Sequence, residues 1–517
     1  MRKNITRDEW ATLVLLLAIG LGAFVRFNPT MLAGYAINDG GMFTVLIEDL
    51  ISNKYRLPSF TSYNDVGIPF AYPPLGFYLG GFAGSLFGFE TVETVRWLPA
   101  FFASLSIPAF YLLALRLLGD RYRASLSALI YSFMPRAFSW LVMGGGLTRA
   151  PGQFFMLLAL VFIVRLYQEG RRNDILFSSM FAGFAVLSHP ASAVQTLTSA
   201  LFLWLTISRT RDAFIRSVFV GILVVVFTLP WWLSVVQVHG VDVLLNAART
   251  GGKSTAVFNL LFFTFSDELY ATLIAVLGLI GLAYCLLRRD ILLPLWLAFP
   301  FVVAGRGAAN LAVVPLAMLA ALGLTEVILK VLKPAQPTVA EVTPTERNVF
   351  LYLILYLIFS TVQFSAQLSS ATLYSPDEQA MRWIRQNTPE DSQFVVLTGT
   401  TSVSCDSVLE WFPAISGRKS LFTVQGTEWT KGAEFNDYVR STYAVQECLS
   451  KSDIACLDGV VDRADYEYIY VSKLLRVNNC SPLAPQMEFP YFVESLRSSA
   501  GFEVVYESNG VLISRQK

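Results

Sequence analysis

The sequence predicts an α-helical membrane protein with about eleven transmembrane helices and a C-terminal α/β domain outside the bilayer. Three observations predict this fold class. Hydrophobic residues make up 54% of the 517 residues and charged residues only 15%, which is far from the average of soluble proteins. Long apolar stretches alternate with short basic loops. The region after residue 368 is polar and holds four of the five cysteines.

Each predicted span has roughly the 17 to 25 residues that cross the hydrocarbon core of a bilayer. The spans cover residues 9–27, 97–117, 123–142, 151–168, 174–189, 191–208, 216–237, 269–287, 290–305, 308–330 and 349–367. Residues 331–348 contain several prolines and form a linker rather than a domain. We therefore expect a transmembrane domain over residues 1–368 and a second domain over residues 369–517.

Lysine and arginine fall in alternate loops, for example in residues 116–123 and 165–172. Because such loops stay in the cytoplasm, we expect a multi-pass protein of the cell membrane with a cytoplasmic N-terminus and an extracytoplasmic C-terminal domain. The four cysteines of that domain fit an oxidising compartment, so at least one disulfide is expected. Four free thiols in a cytoplasmic tail remain the alternative. Nothing in the charge pattern indicates a nucleic-acid partner.

The C-terminal region reads as a compact α/β domain. A helix is predicted over Asp377–Asn387, and strands over Gln393–Leu397, Tyr466–Val471 and Phe502–Tyr506. Asn509-Gly510 predicts a hairpin with a type I′ turn.

The first external loop, residues 28–96, is much longer than an ordinary connection, which indicates a function or a structure of its own. Apolar residues at helical spacing between Met42 and Ile51 predict an interfacial helix lying on the bilayer. The apolar run from Tyr72 to Phe89 is not assigned as a span, because a crossing there would move every later basic loop to the outside.

Four features carry a resemblance to a known family: an aspartate after the first span, the helix that follows it, the run Tyr72-Pro73-Pro74-Leu75, and Arg96-Trp97-Leu98-Pro99 opening the second span. Together they resemble the GT-C superfamily of membrane glycosyltransferases, in particular the protein O-mannosyltransferase and aminoarabinose transferase branch. The C-terminal domain, with residues 380–384, resembles the external domains of oligosaccharyltransferase-like members. The resemblance implies transfer of a sugar from a polyprenyl-phosphate donor to a hydroxyl of a protein, glycan or lipid on the outer face.

Two features depart from the oligosaccharyltransferase pattern. In that family, acidic residues of the second external loop help to hold a divalent metal, whereas Met143 to Arg149 contain no acidic residue. The Trp-Trp-Asp-Tyr-Gly acceptor motif is absent as well. A divalent metal stays open as a cofactor although the second external loop does not support it, and asparagine-linked transfer is not supported either.

The proposed chemistry requires a carboxylate that accepts the acceptor's hydroxyl proton and cations or N–H groups that meet the leaving phosphate. Asp39, followed by two glycines, is the candidate base. The alternative is that Asp39 only caps the following helix. Glu48 is a further candidate acid, or else part of a solvated helix edge. Asp65 is a candidate acceptor contact, or else a turn residue.

Arg149, Arg306 and Lys253 are the candidate phosphate-binding residues, because each follows glycine or small residues on a face that otherwise lacks basic residues. A snorkelling role is the alternative for Arg306, and a plain connector is the alternative for the loop of Lys253. His189 lies at an outer turn, where it is either a site residue or a packing residue.

Trp411, Arg418 and Trp429 interleave aromatic and charged groups in the C-terminal domain, as an acceptor-binding surface would, although tryptophans in a small core give the same pattern. Two other functions compete with sugar transfer. A transporter or flippase usually shows internal repeats and ionisable residues within the membrane, and neither is visible. A non-catalytic anchor for the C-terminal domain leaves the long first loop unexplained.

Overall fold

Helices form most of the computed structural model, which describes residues 6–249, 266–303, 307–332, 342–451, 454–473 and 489–517. Within those residues seven helices are long and apolar enough to cross a membrane, and three further apolar helices are shorter. The chain is therefore a multi-pass membrane protein, as its composition predicts. The number of eleven spans and their orientation stay predictions.

The helices follow the apolar stretches of the sequence closely. They are α1 (Arg7–Leu32), α2 (Gly41–Ser52), α3 (Leu75–Phe87), α4 (Thr91–Leu118), α5 (Arg121–Phe133), α6 (Gly146–Glu169), α7 (Arg172–Ser188), α8 (Pro190–Ile207), α9 (Arg211–His239), α10 (Asp242–Arg249), α11 (Leu273–Leu287), α12 (Leu292–Val303), α13 (Ala308–Leu322, continued through Gly323–Ile328 and Leu329–Val331), α14 (Pro344–Leu368), α15 (Ser375–Asn387), α16 (Ser407–Ser416), α17 (Phe435–Ser450) and α18 (Pro490–Ser498). Single turns of helix cover Glu428–Lys431 and Ala455–Asp458, and short 3-10 turns include Tyr63–Asp65 and Pro135–Ala137.

The span predicted over residues 123–142 is wrong at its C-terminal end. Helix α5 stops at Phe133, and Met134 is extended with ψ of 115°. The cause is Pro135, which has no N–H to continue the ladder and disfavours helical geometry in the residue before it. Residues 134–145 fold back as short turns instead, and this brings Trp140 and three glycines towards the first long loop.

Helix α2 differs from the predicted interfacial helix. Eight of its twelve residues are buried, among them Met42, Thr44 and Leu46, so it has no broad lipid-facing side. It packs between α3 and α16 of the C-terminal domain. Helix α3 is 13 residues long, about 20 Å at 1.5 Å per residue, which is too short to cross and agrees with leaving that run out of the spans.

The C-terminal domain is built on a five-stranded sheet with the order β2-β1-β3-β5-β4. The strands are β1 (Gln393–Leu397), β2 (Lys419–Ser420), β3 (Tyr468–Ser472), β4 (Phe502–Glu507) and β5 (Val511–Gln516). Strand β1 runs parallel to β2 and β3, and β5 runs antiparallel to β3 and β4. The predicted strands and the final hairpin are confirmed. The type I′ turn is wrong, because neither Asn509 nor Gly510 has a positive φ.

The first long loop and the sheet domain contact each other directly. Ile37 pairs with Thr372 in a β-bridge. The Asn64 side chain donates to the Ser420 carbonyl at 2.9 Å and accepts the Ser420 N–H at 2.7 Å. Since these contacts place the loop and the domain on one side of the helices, both share a face. Which face of the membrane that is stays a prediction.

Cys448 and Cys456 form a disulfide across a sequence separation of eight residues. Cys405 is also disulfide-bonded, and Cys285 is a free, buried thiol. The expectation of at least one bridge in the C-terminal domain is therefore confirmed. Cys480 lies outside the described residues.

Candidate active site

Asp39 lies where the first long loop meets the turn before α6. Its Oδ1 accepts the N–H of Gly145 at 2.7 Å, and its Oδ2 lies 3.1 Å from Nη2 of Arg149. The side chain is 15% exposed. The capping alternative for Asp39 is wrong, because the N-cap of α2 is Gly40 and no side chain caps that helix. The Asp39 carboxylate is instead held by groups 106 and 110 residues further along the chain.

Arg149 lies in the first turn of α6 and is the cationic partner of Asp39. Its Nη1 donates to the Trp140 carbonyl at 3.4 Å, and the guanidinium carbon lies 5.6 Å from the centre of a Trp140 ring. The side chain remains 26% exposed. A guanidinium carries five N–H donors in a planar fork, so Arg149 has the capacity to bind an anion while it holds Asp39.

The glycines before α6 are required by space rather than by backbone angles. A Cβ on Gly144 would lie 1.7 Å from the Asp39 carbonyl oxygen, and a Cβ on Gly145 would lie 2.3 Å from Asp39 Oδ2. Gly145 has ordinary helical angles, φ −64° and ψ −10°. Any side chain here would push Asp39 away from Arg149.

Tyr72 adds an aromatic wall beside the ion pair. Its ring centre lies 6.0 Å from the ring of His189 and 6.0 Å from that of Trp429. Burial raises the pKa of Tyr72, while the nearby guanidinium of Arg149 and the hydroxyl of Thr148 act in the opposite direction. Tyr72 therefore carries its proton at neutral pH and offers an O–H donor next to the charged groups.

Glu410 of α16 brings a second carboxyl group to the same place. Its Oε1 accepts the Gly40 N–H at 2.8 Å, and the residue is only 5% exposed. Burial, followed by the negative charge of Asp39, raises the pKa of Glu410 to about 8, against the opposing effects of the Gly40 amide and Arg149. The sheet domain thus contributes a group to the site in addition to covering it.

Of the residues singled out from sequence, Asp39, Arg149 and His189 come close to this site. His189 also has a structural role, since its Nδ1 accepts the Ala191 N–H at 3.2 Å and caps α8. Glu48 is exposed on α2. Asp65 is 92% exposed in a tight turn, where it pairs with Lys419 at 3.4 Å. Neither acid belongs to the arrangement around Asp39.

Two acceptor-side candidates of the C-terminal domain are core residues instead. Trp411 is completely buried and packs edge-on against Tyr35 with ring centres 4.7 Å apart. The guanidinium of Arg418 donates to the carbonyls of Thr388 at 2.7 Å and Arg385 at 2.9 Å. Arg418 therefore ties α15 to the end of α16. Trp429 is also buried, with 6% exposure, and reaches the site only through its ring contact with Tyr72.

Lys253 and Arg306, the other two phosphate candidates, lie outside the described residues. In the described part of the chain no three His, Cys, Asp or Glu side chains form a group that would hold a metal ion. Both oxygens of Asp39 face donors, the Gly145 N–H and the Arg149 guanidinium. Such surroundings fit an anion-neutralising pair and do not fit a divalent cation, so no chemical step below uses a metal.

Sequence reasoning assigned no role in the site to Glu410, to Tyr72 or to the glycine run. Glu410 stands inside the apolar sequence Val408-Leu409-Glu410-Trp411-Phe412, and an acid in such a run signals a buried carboxyl group. Three consecutive glycines, 144 to 146, signal a close approach of another chain segment. Neither signal identifies which other segment of the chain makes the contact.

Comparisons with known proteins agree with this architecture. The sequence family described as dolichyl-phosphate-mannose-protein mannosyltransferase matches residues 71–233. Dolichyl-phosphooligosaccharide-protein glycotransferase 1 of Archaeoglobus fulgidus is 30% identical over 161 residues, which are 29% of this chain and 27% of that protein. The chain thus matches only about a quarter of the length of that relative.

Solved structures match over nearly the whole chain at low identity. Oligosaccharyltransferase AglB from Archaeoglobus fulgidus, in complex with an inhibitory peptide and a dolichol-phosphate, has a TM-score of 0.60 at 16% identity, over 90% of this chain and 69% of its own. ArnT from Cupriavidus metallidurans, bound to undecaprenyl phosphate, has a TM-score of 0.56 at 15% identity, over 98% and 97% of the two chains. The mycobacterial arabinofuranosyltransferase AftD has a TM-score of 0.58 at 14% identity, over 99% of this chain and 40% of its own.

The fold and the site define a polytopic membrane protein whose long loop and sheet domain close over one carboxylate. The matched family and these three structures belong to the GT-C superfamily of glycosyltransferases, and this chain has the GT-C fold. The resemblance to GT-C proteins drawn from the sequence is confirmed at the level of the fold.

Proposed function

We propose that the protein is a membrane glycosyltransferase that moves a sugar from a polyprenyl-phosphate donor to a hydroxyl acceptor, with Asp39 as the general base. The observation that carries this proposal is the ion pair of Asp39 with Arg149 at the junction of the membrane helices and the sheet domain. A base beside a cation is the minimum that this reaction needs.

In the reaction, the acceptor's hydroxyl oxygen attacks the anomeric carbon and its proton passes to the Asp39 carboxylate. The bond between the anomeric carbon and the phosphate oxygen breaks, and polyprenyl phosphate leaves with the electron pair. A well-placed general base accelerates such a step by about 10² to 10⁴. The leaving phosphate is already a stable anion, so it needs a cation rather than an acid.

Arg149 takes part both in the proton transfer to Asp39 and in the departure of polyprenyl phosphate. While Asp39 is ionised, the guanidinium neutralises it across 3.1 Å. When Asp39 takes the proton it becomes neutral, and the Arg149 charge is then directed to the phosphate, on which negative charge develops. The cation thus stabilises the transition state more than the ground state, which is the condition for catalysis.

The donor class is supported by the relatives. The matched family is named for a dolichyl-phosphate-mannose donor, and two of the similar structures hold a dolichol-phosphate or undecaprenyl phosphate. The half-buried ring of Tyr72 beside the ion pair suits the face of a sugar. The alternation of basic loops in the sequence supports an outer-face reaction in the cell membrane.

The test is to incubate the purified full-length protein with short-chain polyprenyl-phosphate sugars and to measure the release of polyprenyl phosphate. We expect release that depends on both protein and acceptor. In a parallel assay with sealed vesicles, a transporter or flippase would move the intact donor across the bilayer without consuming it. That result, or the absence of release with every donor sugar tried, would overturn the proposal.

A further inference from the structure

Glu410 lies directly against the backbone of the segment Asp39–Gly41, which we call the site loop. Its carboxyl group accepts the Gly40 N–H at 2.8 Å. A Cβ on Gly41 would lie only 2.6 Å from the Glu410 main-chain oxygen. Both the side chain and the backbone of Glu410 therefore set where the site loop can lie.

The site loop is held on its opposite side by the glycines before α6. The Gly145 N–H binds the Asp39 carboxylate at 2.7 Å, and the Gly144 N–H donates to the Ile37 carbonyl at 2.9 Å. Glu410 is anchored in turn, because the Tyr63 hydroxyl donates to its carbonyl oxygen at 2.7 Å. The loop that carries Asp39 is thus clamped between a membrane helix and the sheet domain.

The charges at this clamp do not balance if both acids are ionised. Asp39 and Arg149 face Glu410 as charged groups, and Tyr63 adds a titratable hydroxyl. Arg149 is in direct contact with Asp39. Among the described residues a second buried carboxylate would share that cation with Asp39, and leaving a charge buried without its own partner is costly. As a neutral acid, Glu410 still accepts the Gly40 N–H and leaves Asp39 as the one anion on Arg149.

We propose that Glu410 is a positioning residue that holds the site loop through the Gly40 N–H, so that the orientation of Asp39 depends on the docked sheet domain. This inference deepens the proposed function and rests on it for the role of Asp39. Glu410 itself does not touch the reacting atoms in this scheme.

Hydrogen–deuterium exchange of the full-length protein tests the clamp without any donor. Replacing Glu410 by alanine removes one buried hydrogen bond, with a net contribution of about 0.5 to 1.5 kcal/mol, so exchange at Gly40 should rise about 2- to 10-fold. Glu410→Gln keeps an acceptor oxygen and no charge, and should restore most of the protection. Asp377→Ala is the matched control, because Asp377 is a fully buried acid of the same domain that accepts the Tyr470 hydroxyl at 2.7 Å.

Turnover measurements then distinguish a positioning role of Glu410 from a general loosening of the site loop. Glu410→Ala should lower kcat with little change in the KM for donor, and Glu410→Gln should recover most of kcat. Three results would overturn the proposal: unchanged exchange in Glu410→Ala, equal losses in the alanine and glutamine variants, or the same increase at Gly40 in Asp377→Ala. If the wild-type protein transfers no sugar, the proposed function fails, while the exchange experiment still decides whether Glu410 holds the loop.

Discussion

Asp39 Oδ2 and Arg149 Nη2 lie 3.1 Å apart although the two residues are 110 positions apart in the chain. The Gly145 N–H completes the contact by binding the other oxygen of Asp39. An aspartate on a loop next to the membrane helices is thus fixed in place by α6, although four other helices, α2 to α5, lie between them in the chain. Pre-organisation of this kind allows a base to act without first losing conformational freedom.

The first prediction is that Asp39→Asn lowers sugar transfer by about 10² to 10⁴ and leaves the protein folded. Asparagine keeps the size of the side chain and its bond to Gly145, but an amide cannot accept the proton. The measurement is single-turnover release of polyprenyl phosphate, together with thermal unfolding. Asp65→Asn is the control, since Asp65 is an exposed acid of the same long loop. A rate near that of the wild type in Asp39→Asn would show that Asp39 is not the base.

The second prediction is that Arg149→Lys lowers kcat/KM by about 10- to 100-fold, the loss expected for one or two charge-assisted hydrogen bonds. Lysine keeps the charge but lacks the planar fork that binds Asp39 and an anion together. Arg116→Lys, at an exposed ion pair with Glu169, should have no effect. Steady-state kinetics at varied donor concentration provide the measurement. Equal activity of both variants would mean that charge alone is enough at position 149.

The third prediction concerns the space between Gly145 and Asp39. Gly145→Ala places a Cβ 2.3 Å from Asp39 Oδ2 and 2.8 Å from Arg149 Nη2. Both are ends of side chains, so the fold can survive while the ion pair moves, and a shift of about 1 Å can cost roughly 10²-fold in rate. Gly20→Ala is the control, because no atom lies within 4 Å of its added Cβ. Gly145→Ala should therefore lose activity while its melting temperature stays near that of the wild type. Full activity would contradict the close contact between Gly145 and Asp39.

The fourth prediction is a pH dependence of stability that comes from Glu410. Its pKa is raised from 4.5 to about 8 in the folded protein, chiefly by burial and then by Asp39, with Arg149 opposing. Between these values the folded state holds a proton that the unfolded chain has released, so the free energy of unfolding falls as the pH rises. The contribution is fully present below pH 4.5 and is lost as the pH passes through about 8.

Thermal unfolding of the wild type and of Glu410→Gln between pH 5 and 9 measures this effect, since every other titrating group is common to both proteins. The melting temperature of the wild type should fall more steeply over that range. Parallel curves would mean that Glu410 is ionised in the folded protein throughout.

The fifth prediction is that Cys448→Ser destabilises the C-terminal domain by roughly 2 to 3 kcal/mol, the value expected for the loss of a bridge that closes a short loop. Mass spectrometry of unreduced, alkylated wild-type protein should find Cys448 and Cys456 in one linked peptide pair. Cys285→Ser is the control for handling a buried free thiol. Alkylation of both Cys448 and Cys456 would contradict the bridge, and alkylation of all four cysteines of the domain would contradict the expected oxidising compartment.

Hydropathy and local chemistry in the sequence determined most of the architecture. A bilayer admits only long apolar helices at these positions, so the apolar stretches identified the helices directly. Strand β1 has its predicted bounds, Gln393–Leu397, because β-branched and aromatic residues in a short buried run prefer a strand. Pro135 also indicates that α5 ends at Phe133. The apolar residues after Pro135 made the span look longer than it is.

Tertiary structure alone decided the composition of the site. Glu410 binds Gly40 across a separation of 370 residues, and Asn64 pairs with Ser420 across 356. Such contacts depend on how a sheet domain docks on a loop, which no local pattern encodes. The same docking buries Trp411 and places Trp429 beside Tyr72. Residue type and spacing could nominate Asp39 as an acid, but only the packing of three distant segments supplies the cation, the amide and the second carboxyl group that define its chemistry.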